Sequence, residues 1–318
     1  MKPVKAGQTV FFEPWSLGDV MIAAAAWRER SEGAAIACHS MWHPLLRSAL
    51  IETQSVNLIA VDLPYTTRRR GNPFDTGHDA PIECNDEVGQ VLSIRGDLRD
   101  LAAARKIFPR AQTRMNGWVR FLGRKSSVVN LPFSLGWMPV QNRYRSWADL
   151  AGVPYQSIEA TYQRLQSEAP QNGQVAIHVG AQWRSKQYPD VVPLRDALRD
   201  VGRTVKILAG PSDPLPAGLD EKDVTRAKDA QLIEEFRSAG QVITNDSGPM
   251  HVAAFLGCPT LVLVRTSPIE EWAPPGVTIV RSPETPRGYR PDRQYMSDGV
   301  LTGWPAVVET LSFCQNPK

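Results

Sequence analysis

The sequence predicts an α/β protein built as two doubly wound halves, each a parallel sheet wrapped by helices, and three observations carry that prediction. Short β-branched runs alternate with helical stretches from Thr9 onwards, the rhythm of βαβ construction. The alternation breaks once, in a polar stretch holding Pro170 and Gly173, and then restarts. With 318 residues, each half has enough chain to bury a core of its own. The expected boundaries are 1–160 for the first half, 161–303 for the second, and 304–318 for a closing helix that packs back on the first, with the linker near 155–173.

In the first half, Thr9 to Phe12 is a β-rich run, the turn-like EPWSLG follows, and Asp19 to Trp27 reads as a helix. Its four alanines, Ala23 to Ala26, are small enough to pack closely on a sheet. Ala34 to Cys38 and Val56 to Val61 are further apolar runs with a helical pattern between them. Pro64 to Asp86 is rich in Pro, Gly, Asp and Arg and reads as a long loop of the kind that often touches a substrate. Leu98 to Phe108 is the next helix, Ser127 to Leu131 a strand, and SWADLAGVPY a helix closed by Gly152 and Pro154.

In the second half, a strand at Val175 to Val179 leads to a helix over Val192 to Val201 and a strand at Thr204 to Ala209. A helix over Asp229 to Ala239, a strand before Asn245, and strands at Thr260 to Val264 and Val277 to Val280 complete the sheet. The amphipathic stretch Trp304 to Cys314 is the closing helix.

Composition excludes several classes. A hydrophobic content of 42% with 22% charge is that of a globular chain, and a formal charge of +3 is too small to argue for stable nucleic-acid binding. No run approaches the eighteen or so apolar residues that span a bilayer, so membrane insertion is not expected. The first fifteen residues lack the apolar core and cleavage site of a secretory signal. The four cysteines show neither metal-ligand nor disulfide spacing, which fits a reducing compartment. A cytoplasmic protein, at most peripheral at the inner membrane face, is the expectation. GxGxxG and GxxxxGK[ST] are both absent, which argues against a dinucleotide dehydrogenase and a P-loop phosphotransferase.

The chemistry concentrates in QVITNDSGPMHVAAFLGCP, Gln241 to Pro259, a strand, tight loop and helix in succession. Ser247 and Gly248 fall at the start of that helix, where free N–H groups and the dipole favour a phosphate, or where Ser247 is only a cap. Asp246 ends the strand and His251 lies one turn into the helix. Gly180, Arg184 and Lys186 sit on the loop HVGAQWRSKQYP, and Asp213 in Ala209-Gly210-Pro211-Ser212-Asp213 is placed to accept from a ribose or to cap its turn. In the first half, Ser16-Leu17-Gly18-Asp19 puts a carboxylate at a helix start.

These four blocks, S-L-G-D, G-x-x-x-x-S-K-x-Y-P, A-G-P-S-D and N-D-S-G-P-M-H-x-A-A, in this order and spacing over about residues 8 to 275, resemble the heptosyltransferases of glycosyltransferase family 9. The resemblance implies a GT-B fold, two Rossmann-like domains facing across a cleft, and inverting sugar transfer. It implies Asp19 as general base, with Ser16 and Gly18 on the acceptor side. It further implies Lys186 against the donor diphosphate and Asp213 at the ribose. Asp246 would hold sugar hydroxyls, the amides of Ser247 and Gly248 phosphate, and His251 would support that loop. Gly180 belongs to the same donor cradle.

The donor it implies is a nucleotide-diphosphate sugar, ADP-heptose being favoured, and the acceptor a saccharide or glycolipid such as lipopolysaccharide core. No metal and no separate cofactor are expected, since Lys186 and a helix terminus can supply the charge that a leaving diphosphate needs. One departure is Arg265-Thr266-Ser267, where the family usually has Gly-Pro-Thr. Two alternatives remain at this stage: a protein or modified nucleic acid as acceptor, gripped by Arg68, Arg69 and Arg70, and a catalytically idle binding module.

Overall fold

A computed structural model describes residues 7–30, 33–51, 56–62, 88–94, 98–115, 142–181, 186–265, 269–281 and 303–315. The chain divides into two compact units, Met1–Ile158 and Glu159–Lys318.

The first unit holds a five-stranded sheet in the order β3-β2-β1-β4-β5. Its strands are β1 (Gln8–Phe12), β2 (Ala34–Cys38), β3 (Asn57–Ala60), β4 (Val88–Ser93) and β5 (Gln112–Met115), and every pairing is parallel. A parallel strand covered on both faces buries every side chain, which is why QTVFF and AAIAC are buried throughout. On one face Val10 and Phe12 pack with Ala103, Ala104 and Ile107 of α3 (Leu98–Ile107). On the other, Phe11 stacks on Trp147 of α4 (Arg143–Ala151) with ring centroids 5.4 Å apart. The helix α1 (Leu17–Arg30) lies against α4, and its alanines Ala23 to Ala26 are fully buried, so the small side chains permit the close approach. Between α1 and α3 in chain order, α2 (His43–Ala49) has Pro44 in its first turn.

In the second unit a six-stranded parallel sheet runs β11-β10-β9-β6-β7-β8. It comprises β6 (Gln174–His178), β7 (Thr204–Ala209), β8 (Val224–Arg226), β9 (Gln241–Asn245), β10 (Thr260–Val264) and β11 (Thr278–Arg281). Val175, Ile177 and Val179 share a core with Leu194 and Leu198 of α6 (Val191–Asp200). The opposite side carries α7 (Asp229–Ser238), whose Phe236 meets His178 edge to face at 6.1 Å. The helix α8 (Gly248–Phe255) contributes Met250 to a smaller cluster with Val262, Val264 and Ile269.

Three differences from the expected elements have physical causes. The stretch expected as linker holds the helix α5 (Tyr155–Ser167), because the breakers Pro170 and Gly173 lie beyond it and do not interrupt it. The closing helix α9 (Val307–Gln315), expected to pack back on the first half, lies along α6 of the second unit. There Cys314, Val307 and Leu311 join the core, and Tyr188 donates its hydroxyl to the Pro305 carbonyl at 3.1 Å. Strands β4, β5 and β8 carry weak sequence signals. Gly89 interrupts β4 because a Cβ there would stand 2.9 Å from the Gly7 backbone. The Pro64 to Asp86 loop, with Arg68 to Arg70, and the Ser127 to Leu131 strand lie outside the described residues, as do Arg184, Thr266 and Ser267.

Candidate active site

In an open doubly wound sheet, ligands collect outside the carboxyl ends of the strands where the strand order reverses. In the second unit that point is between β6 and β9, which pair in parallel with His178 opposite Thr244. The residues that follow these two strands are Val179-Gly180 and Asp246-Ser247-Gly248. In the first unit the corresponding point is between β1 and β4, and Asp19 stands in the helix that follows β1.

At the end of β9, Asn245 ties the two loops together. Its amide donates to the Val179 carbonyl at 2.9 Å, and its Oδ1 accepts the Tyr188 N–H at 3.0 Å, so the far end of the lysine loop is fixed to β9. Lys186 then reaches Asp246, its Nζ donating to Oδ2 at 2.7 Å, with side chains 17% and 5% exposed. Removing one partner of a pair this buried typically costs about 3–5 kcal/mol, whereas the intact pair adds little net stability over apolar packing. Stability alone therefore does not account for placing a lysine here. Trp272 completes the group: its indole Nε1 donates to Asp246 Oδ1 at 2.7 Å, and its ring centroid lies 5.4 Å from Lys186 Nζ.

Ser247 stands at the N-cap position of α8 but does not cap it through its side chain. Its backbone is extended, its side chain makes no capping hydrogen bond, and its hydroxyl donates instead to the Gly180 carbonyl at 3.2 Å. The Ser247 side chain thus leaves the first N–H groups of α8 uncapped, with Gly248 half-buried and Pro249 in the first turn. His251 is buried one turn along the same helix.

Asp213 closes the other side of this edge. Its Oδ2 accepts the Gly210 N–H at 2.7 Å, so it does cap its turn, and Arg226 clamps that turn by donating to the carbonyls of Gly210 and Asp213, each at 2.7 Å. Gly180 is glycine by necessity, since a Cβ there would fall 1.7 Å from Asp213 Oδ2 and 2.8 Å from the His178 ring. His178 accepts the Gly180 N–H at Nδ1, and burial pushes its pKa down to about 4 although the Asp213 charge pulls it up. Lys186, Asp246, Ser247, Gly180 and Asp213 are therefore joined through a chain of direct contacts at one sheet edge.

In the first unit Asp19 is the third residue of α1 and is buried. Each of its oxygens has a donor: the Ser16 hydroxyl at 2.5 Å on Oδ2 and Arg143 Nη1 at 2.6 Å on Oδ1. The loop before it is pinned by Trp15, whose indole donates to the buried Asp100 at 2.6 Å and whose carbonyl accepts from the Trp42 indole at 3.1 Å. Gly18 lies within the first turn of α1 beside these groups.

Sequence reasoning missed Arg143, Asn245, Arg226 and Trp272. Nothing local marks Arg143, which is 124 residues from Asp19. Asn245 was within reach, since an amide at the last position of a strand has both a donor and an acceptor to place. Trp272 carries a weaker signal, an aromatic beside Pro274 and Pro275 in the loop after β10. Among the described residues no helix is long and apolar enough to cross a membrane, and no three His, Cys, Asp or Glu side chains gather as a metal cage.

Residues 149–296 match the profile of glycosyltransferase family 9 (heptosyltransferase), a span that includes Gly180, Lys186, Asp213, Asp246 and His251 and does not include Asp19. No curated protein sequence matches the chain. Among solved structures the chain resembles Escherichia coli ADP-heptose lipopolysaccharide heptosyltransferase II at 18% identity and a TM-score of 0.57, covering 97% of this chain and 98% of that one. It also resembles the Escherichia coli heptosyltransferase WaaC with ADP at 15% identity and a TM-score of 0.61, covering 97% and 99%. WaaC with ADP-2-deoxy-2-fluoro heptose gives 14% identity and a TM-score of 0.57, again over 97% and 99%. At these identities the likeness is one of fold. The chain is therefore a glycosyltransferase of the GT-B fold whose residues 149–296 match the model of glycosyltransferase family 9 (heptosyltransferase).

Proposed function

We propose that the protein transfers a sugar, with inversion and without a metal ion, from a nucleotide-diphosphate sugar to a saccharide acceptor in the cytoplasm. ADP-heptose is the favoured donor and lipopolysaccharide core the favoured acceptor. The observation that carries this reading is the buried Lys186–Asp246 pair, set beside the uncapped start of α8 at the strand-order reversal of the second sheet. The related structures described with ADP and with a fluorinated ADP-heptose support the choice of donor.

In the proposed reaction an acceptor hydroxyl attacks the anomeric carbon as the bond from that carbon to the diphosphate oxygen breaks, and the bonding electrons leave with the diphosphate. Charge builds on the diphosphate, so a fixed ammonium and backbone N–H groups aimed at it lower the barrier, each by roughly 10²- to 10³-fold in rate. Lys186 and the amides of Ser247 and Gly248 fill that role, with His251 behind them. Asp213 receives the ribose through Oδ1, its other oxygen being held by Gly210. Asp246 holds sugar hydroxyls, and Asp19 takes the acceptor proton, its plane set by Ser16 and Arg143. Ser16 and Gly18 lie on the acceptor side.

A panel of nucleotide sugars tested for thermal stabilisation, followed by a product assay with ADP-heptose and lipopolysaccharide core, examines this directly. ADP-heptose should raise the melting temperature, the product should carry the inverted anomer, and EDTA should leave the rate unchanged. Stabilisation by no nucleotide sugar, or a retained anomer, overturns the proposal.

A further inference from the structure

We infer that Trp272 is a positioning residue of the donor site, fixing Asp246 through its indole N–H and Lys186 through its ring. This deepens the donor-site reading above and rests on it. The three side chains form a closed triangle in which each touches the other two. Lys186 Nζ donates to Asp246 Oδ2, the Trp272 indole N–H donates to Asp246 Oδ1, both at 2.7 Å, and the ammonium lies 5.4 Å from the centroid of the indole. The two bonds to Asp246 lie on different oxygens, so they fix the rotation of the carboxylate as well as its place. An ammonium near an aromatic face is attracted by the ring quadrupole, so the same side chain holds both members of the ion pair.

Trp272 is itself held from behind. Its backbone N–H donates to the Ile269 carbonyl at 3.0 Å, Ile269 is fully buried, and the indole packs on the cluster of Met250, Val262, Val264 and Ile269. That cluster joins α8 to β10, so the tryptophan is fixed to the helix that follows Asp246 and to the neighbouring strand. Packing alone requires only the ring. It does not require the N–H to lie on a carboxylate.

The consequence concerns how the site shares one cation. Asp246 and a donor diphosphate both attract Lys186. An N–H held on Asp246 offsets part of its charge, weakens its hold on the ammonium, and keeps the carboxylate in place when a diphosphate draws the lysine towards itself. Loss of the N–H should therefore weaken diphosphate binding even where the ring is retained.

The test is calorimetric titration of the full chain with ADP, comparing wild type, Trp272→Phe, Asp246→Asn and the double variant, with the indole ¹H–¹⁵N spectrum recorded for each. Trp272→Phe should bind ADP roughly five- to tenfold more weakly, and in the Asp246→Asn background the same change should alter affinity less than twofold. The indole resonance absent from the Trp272→Phe spectrum should shift in the Asp246→Asn protein. Wild-type affinity in Trp272→Phe, or an undiminished effect in the Asp246→Asn background, overturns the inference. If Asp246→Asn binds ADP too weakly to titrate, the resonance decides, and an unmoved one overturns it. A wild type that binds neither ADP nor any other nucleoside diphosphate removes the donor-site reading first, and that failure is visible without any variant.

Discussion

His178 shows how one buried residue at the end of β6 couples stability to pH. It is almost wholly buried, and its Nδ1 accepts the Gly180 N–H at 3.2 Å, so in the folded protein its proton sits on Nε2. Protonating Nδ1 would set a hydrogen against that amide. Desolvation holds the folded pKa near 4, below the ordinary histidine value of 6.5. As pH falls through 6.5 the unfolded chain takes up a proton that the folded chain refuses until pH 4, so the stability contributed is complete above 6.5 and is lost between 6.5 and 4. The loss is on the order of 3 kcal/mol. Melting temperatures measured across this window should fall more steeply for wild type than for His178→Asn, whose midpoint starts lower. Parallel slopes would show that His178 titrates no differently in the folded protein. Of the group around it, Gly180 and Asp213 were readable as loop residues with polar neighbours. Their mutual dependence was not, because it comes from a close approach between the ends of β6 and β7, which the residue types alone do not reveal.

At the scale of elements, α8 is the part of the site most fully written in the sequence. Pro249 in its first turn and Gly257 after its last mark both ends. The end is a Schellman motif: Cys258 N–H donates to the Ala253 carbonyl and Gly257 N–H to that of Ala254, each at 3.0 Å. Gly257 has φ of +81°, and a Cβ there would also fall 2.4 Å from Leu165 Cβ and 2.6 Å from its backbone carbon. The second constraint places a helix from before β6 directly under α8. Gly257→Ala should therefore cost about 3 kcal/mol or more and lower the melting temperature by roughly 10 °C. Gly202→Ala is the control, with φ of +82° and nothing within 4 Å, and should cost only the backbone strain of about 1–2 kcal/mol. Equal losses would mean that contact with Leu165 carries no energy. The strands that read clearly, β1, β2, β6, β7 and β10, are short apolar runs with turn residues at their ends. The strands that did not, β4, β5 and β8, are edge strands, broken by glycine, or mixed in polarity. The closing helix was legible as an amphipathic element, but an apolar stripe does not name its partner, and here α6 and the Tyr188 hydroxyl decide it.

On the scale of the whole molecule, the proposed reaction divides its tasks between the two units, and this gives the sharpest trial of Asp19. In that proposal diphosphate binding falls to Lys186 and backbone amides of Glu159–Lys318, and proton removal to a side chain of Met1–Ile158. A structural account competes with the catalytic one, since Asp19 also anchors the start of α1 to α4 through Arg143. Two variants separate them. Asp19→Asn keeps a side chain of the same shape but removes the base, whereas Arg143→Gln removes the ion pair and keeps the carboxylate. If Asp19 takes the acceptor proton, Asp19→Asn should bind ADP within twofold of wild type while transfer falls by roughly 10²- to 10⁴-fold. Arg143→Gln should retain much more transfer, because the carboxylate and its Ser16 partner remain. Both should melt a few degrees below wild type. If the ion pair alone matters, the two variants lose transfer together and in proportion to the folded fraction. The informative quantity is therefore the ratio of their rates at matched ADP occupancy, and a ratio near one removes Asp19 from the chemistry while leaving the donor site untouched.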